Sequence, residues 1–145
     1  MKKSILIVLS CLFSFSSCST SEDPIDPQKV KYLWHLVNVT GGVAGVNETF
    51  SLDTIVWAFN DATKTLVVEN NNDDDTIEDA LDSGTYEFDV IQGPSGKTFL
   101  TIDDIEFGNF EISQNTLTID KNITTTGTGA DGFIYTFQRT IELVD

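Results

Sequence analysis

The sequence predicts an all-β fold, an eight-stranded antiparallel up-and-down barrel with a β-sandwich as the alternative. Three observations predict it. Eight short stretches, near 32–39, 55–60, 64–69, 85–91, 97–102, 105–112, 116–120 and 133–143, carry strand-like patterns with turn residues between them. No stretch of the body repeats its apolar residues with a convincing helical period over any length. The last run alternates with period two and places Arg139 among Phe133, Tyr135, Phe137, Ile141 and Leu143 on its apolar face. A guanidinium there cannot shed its charge and needs a partner, and the indole of Trp34 in the first strand is the expected one. That pairing makes the first and last strands neighbours.

The first strand candidate, Tyr32 to Val39, sets Trp34 and Leu36 on one face and Leu33, Val37 and Val39 on the other. A glycine-bearing connection from Gly41 to Leu52 follows, with Val43, Val46, Phe50 and Leu52 available to pack. Ile55, Trp57 and Phe59 point inward from the second strand, and Asn60 to Thr63 turns the chain back through Lys64 to Glu69. The polar connection Asn70 to Gly84 has room for one helical turn between Ile77 and Leu81. Tyr86, Phe88 and Val90 then alternate cleanly with Glu87 and Asp89. Gln92 to Gly96 is a turn by its residues. Beyond it, the apolar phase slips by one between Phe107 and Phe110, which predicts a bulge at Gly108-Asn109.

Ahead of this body, Met1-Lys2-Lys3 and the apolar run Ser4 to Phe13 lead to Ser14-Phe15-Ser16-Ser17-Cys18. This resembles a bacterial lipoprotein signal, which implies cleavage before Cys18 and acylation (palmitate among the chains) of its thiol and new N-terminus. The domain expectation is therefore a signal peptide over 1–17, a lipidated flexible tether over 18–29 and the barrel over 30–145. The acidic run Glu22-Asp23 behind the cysteine resembles the surface-export signal of lipoproteins in the Bacteroidetes group. The implied location is the outer membrane, lipid-anchored and displayed at the cell surface.

The chain carries 8 basic and 23 acidic side chains. Cleavage before Cys18 leaves six basic ones and a net charge of −17, a surface that repels nucleic acid phosphates and anionic lipid headgroups. Neither cysteine, Cys11 or Cys18, falls in the body, so no thiol nucleophile or thiolate metal site is available there. With a single histidine, His35, no histidine-based triad or multi-histidine metal centre can be built within one chain. Asp73-Asp74-Asp75 with Glu78, Asp79 and Asp82 supplies oxygen atoms but lacks the ligand spacing and glycine of an EF-hand loop, so a solvated turn is expected. No catalytic residues, metal or cofactor are assigned, and a monomer is expected.

Trp34, the long connection after it, eight strands in meander order and Arg139 on the last strand together resemble the lipocalin-like, or calycin, barrels, and in particular the small lipocalin-like lipoproteins of Bacteroidetes. Tyr32 stands where lipocalins proper have a glycine. The resemblance implies that Arg139 covers Trp34 to close one barrel end and that residues 41–52 lid the other. It also implies a small apolar ligand inside, against Trp57, Phe59, Tyr86, Phe88, Phe99, Phe107, Tyr135 and Phe137. Small barrels also fill their interior with side chains, and the pattern leaves both outcomes open. The functional expectation is a non-enzymatic, membrane-anchored binding module. The alternative is an interaction lipoprotein with a solid barrel that meets a protein or glycan.

Overall fold

The computed structural model describes residues 29–144; Cys18, the signal and most of the tether lie outside them. Eight strands form the barrel: β1 (Lys29–Gly41), β3 (Ile55–Asn60), β4 (Thr65–Asn70), β5 (Gly84–Gln92), β6 (Thr98–Ile102), β7 (Ile105–Ser113), β8 (Thr116–Asp120) and β11 (Phe133–Val144). Three short strands, β2 (Val46–Thr49), β9 (Ile123–Thr124) and β10 (Gly127–Thr128), lie in the connections. Sequential strands pair antiparallel, and β11 returns to β1, which closes the sheet and removes the sandwich alternative. The closing pair is long, from Lys29 opposite Val144 to Gly41 opposite Phe133.

Tight turns join the later strands. Asp103 and Asp104, at φ 50° and 63°, make the two-residue link from β6 to β7, the backbone hand that matches strand twist. Between β3 and β4, the Asn60 side chain accepts from the backbone N–H groups of Ala62 and Thr63. The bulge expected near Gly108 is present: Leu100 faces Gly108, but Thr101 faces Glu106. Gly108 sits at φ 152°, and a Cβ there would lie 2.8 Å from the carbonyl oxygen of Asp120.

Four expectations are corrected. A second bulge, at Val37, shifts the β1–β11 register, so Val39 turns inward and is fully buried instead of sharing the outer face of Leu33. Phe99 is buried, but outside the barrel. Leu100 and Ile102 take the inner face of β6 opposite Val90 and Phe88, which leaves Phe99 paired with Ile91 on the outer one. There it lies under Gly93. No helical turn forms between Ile77 and Leu81. Residues 41–52 are not a lid throughout: 41–49 form a hairpin in which β2 extends the wall alongside β1, with Val43 almost wholly exposed, and Phe50 beyond it packs on the core.

Candidate binding site

Arg139 and Trp34 occupy directly opposed positions in the closing strand pair. The guanidinium carbon lies 5.7 Å from the centre of the Trp34 ring and 4.9 Å from that of Tyr32, two residues earlier on the same face. Both spacings allow cation–π attraction. Arg139 also donates through Nη2 to the Asn115 side-chain oxygen at 2.8 Å, from the β7–β8 turn. Trp34 is nearly fully buried beneath this cover and Arg139 is half-buried. The arginine is thus a wedge at the barrel end where water still reaches it, which offsets the desolvation a deeper site would impose.

Beside the wedge lies a cup of about 290 Å³. Trp34, Phe59, Phe88, Val90 and Phe110 make its apolar part; Tyr32, Asp61, Ile112 and Arg139 complete it. Next to it, β1 and β3 pair only at Trp34–Trp57 and His35–Val56 and then diverge. The cleft between them, lined in part by Val30, Lys31, Ala58 and Val67, borders the cup and shares Tyr32, Phe59 and Asp61 with it.

The barrel centre is filled. Trp57, Tyr135 and Phe137 are fully buried, with the Trp57 and Phe137 ring centres 4.8 Å apart. Phe107 links the group, stacked 5.8 Å from Tyr135 and 6.0 Å from Trp57. Leu36, Leu66, Leu117 and Ile119, all fully buried, pack in the same cluster. The Trp57 indole N–H is buried without a hydrogen-bond partner among the described residues. An orphan donor costs about 1–3 kcal/mol, which burial of the large ring offsets.

The far end is stoppered by residues 71–83, the β4–β5 connection. Ala80 and Leu81 pack on the core, and Glu78 accepts a hydrogen bond from the Tyr135 hydroxyl at 2.6 Å. Asn70 holds the segment through the Asp79 carboxylate and the Leu81 carbonyl. Burial first, then the Glu78 carboxylate, pushes the Tyr135 phenol well above its ordinary pKa. Asp74 on the same segment is held below the usual carboxylate range by the Thr76 hydroxyl and backbone N–H. Among the described residues no three His, Cys, Asp or Glu side chains gather as a metal site.

The residues expected to meet a ligand thus divide. Phe59 and Phe88 reach the cup. Trp57, Phe107, Tyr135 and Phe137 are the filled centre. Tyr86 donates to the Asp82 carbonyl at 2.9 Å, towards the stoppered end, and Phe99 is outside. Tyr32 was legible by parity with Trp34; Asp61, on a turn, left no signal. His35 is satisfied on the outer face: its Nδ1–H donates to the Leu52 carbonyl, and Nε2 lies 2.8 Å from the Thr140 hydroxyl. Comparison with protein families, curated proteins and solved structures finds no match for this chain.

Proposed function

We propose that the protein is a lipocalin-like, membrane-anchored binding module of the outer membrane, non-enzymatic and monomeric, which holds a small apolar ligand at the Arg139 end of the barrel. The observation that carries this reading is the aromatic cup beside a guanidinium, with the cleft between β1 and β3 bordering it. Its volume of about 290 Å³ falls just below the usual range of ligand sites, about 300–1,000 Å³. That favours a compact molecule over a long acyl chain folded inside the barrel. Arg139 uses one bond on Asn115 and retains N–H groups for an acceptor on the ligand. One carboxylate, Asp61, lines the cup, so it holds no pair of acids for hydrolytic chemistry.

Native mass spectrometry and thermal shift against small aromatic acids, short fatty acids, sterols and pigments test the reading. Binding that Ile112→Glu abolishes, at unchanged stability, supports it. Silence across the panel favours the second reading, an interaction lipoprotein that meets a protein or glycan, to which the filled centre also lends support.

A further inference from the structure

Beyond the cup the wall continues as a two-stranded ribbon. β11 leaves β8 after Gln138, and β1 has no β3 partner before Trp34, so residues 29–33 and 140–144 pair only with each other. Val30 faces Leu143 and Tyr32 faces Ile141, in phase with Trp34 and Arg139. Their side chains therefore continue the face that lower down is the barrel interior, but no strand covers them, and among them Arg139 lies over the Tyr32 ring alone. Val30 is 44% exposed, Tyr32 45%, Ile141 60% and Leu143 60%. Four large apolar side chains on one face of an isolated ribbon are a docking surface in search of a cover.

We infer that this ribbon face docks on a lipid bilayer, with its aliphatic side chains entering the boundary between headgroups and acyl chains. The inference rests on the lipid-anchor reading of Cys18. β1 begins at Lys29, so everything upstream joins the body at the ribbon's tip. The eleven residue steps from Cys18 to Lys29 reach at most about 40 Å, which keeps this end of the barrel nearest the anchor. The chemistry agrees. Tyrosine beside aliphatic residues suits the membrane interface. Lys29, Lys31 and Arg139 put three of the six basic residues that follow Cys18 on this strand pair, with Glu142, opposite Lys31, the one acidic residue facing them among the described residues, so that they can meet lipid phosphates. Tethering makes even a weak contact persistent, because the face is held at high local concentration beside its surface. Docking also brings the cup's mouth to the bilayer, the natural reservoir of apolar molecules.

The test uses the full chain carrying Leu143→Trp, or Ile105→Trp at the far barrel end, where Ile105 is 72% exposed. Each is reconstituted in phosphatidylcholine vesicles with and without lipids brominated high in the acyl chain. The buried Trp34 and Trp57 give both variants a common background. The expected result is bromolipid quenching about three-fold or more stronger at position 143 than at 105, lost when Ile141→Asp is added. Equal quenching at the two positions overturns the inference. So does a dimer, seen by sedimentation, that Ile141→Asp dissociates, since the face then belongs to a second copy. The mass of the mature N-terminus reports acylation separately, so a failed anchor is distinguishable from a failed docking face, and the quenching comparison is read on the acylated chain.

Discussion

Tyr135→Phe removes one hydroxyl and tests whether residues 71–83 are pinned to the barrel. The lost contact is a 2.6 Å hydrogen bond donated to the Glu78 carboxylate from a fully buried ring. Hydrogen bonds to charged groups contribute about 1.5–3 kcal/mol. Glu78 is half-buried and can recover water once its donor is gone, so the lower part of that range applies, about 1.5–2 kcal/mol. For a domain of this size that is a fall in Tm of roughly 5–12 °C. Urea titration followed by tryptophan fluorescence measures it, since both indoles are buried in the native state. A second readout is alkaline. The folded phenol titrates above the unfolded one, so its stabilisation is complete below the unfolded pKa of about 10 and is lost as pH rises beyond it. Wild type should therefore lose about 1.4 kcal/mol more than Tyr135→Phe for each pH unit above that value. Tyr86, also raised by burial, remains in both proteins and cancels in the difference. A variant within about 0.5 kcal/mol of wild type, with the same alkaline limb, refutes the pinning.

At the other end, Trp34→Ala should cost about 3–5 kcal/mol by urea titration, the range for emptying a buried aromatic site. Arg139→Met should cost about 1–2 kcal/mol through the lost ring contacts and the Asn115 bond, and less in the Trp34→Ala background, because the two groups share one interaction. Gly108→Ala should destabilise by about 1–3 kcal/mol, since a side chain is disfavoured at that positive φ and its Cβ meets the Asp120 carbonyl. Lys64→Ala breaks the 3.3 Å contact with Asp89 between exposed partners and should change Tm by no more than a few degrees. A larger effect of Lys64→Ala would mean that the β3–β4 turn relies on charge and not on the Asn60 side-chain bonds.

The strand series and its order were legible because alternation and turn chemistry are local. β5 reads as Tyr86, Phe88, Val90 in and Glu87, Asp89 out without any knowledge of its neighbours. The out-of-place Arg139 went further and indicated which strands must meet, because a charge on an apolar face demands a partner in space. Position alone could not assign faces where two apolar residues adjoin. Phe99 was the expected inward residue, but the pairing of Leu100 with Val90 puts Leu100 inside and Phe99 on the outer face. Nor could it show the bulge at Val37, which reverses every residue beyond it and sends Val39 to the core.

By itself, the amino-acid order determined an all-β chain of strands in meander order and an arginine on the last strand that needs a partner; the pairing of β11 with β1 decided for the closed barrel over the sandwich. The amino-acid order left open whether the cylinder was hollow. Only the tertiary structure decided that, because filling is a sum of volumes: Trp57 from β3, Phe107 from β7, and Tyr135 and Phe137 from β11 meet across the barrel and leave the cup at the rim. The same holds for the stopper, a polar loop placed by contacts distant in sequence: Ala80 and Leu81 on the core and the Glu78 carboxylate on a buried phenol.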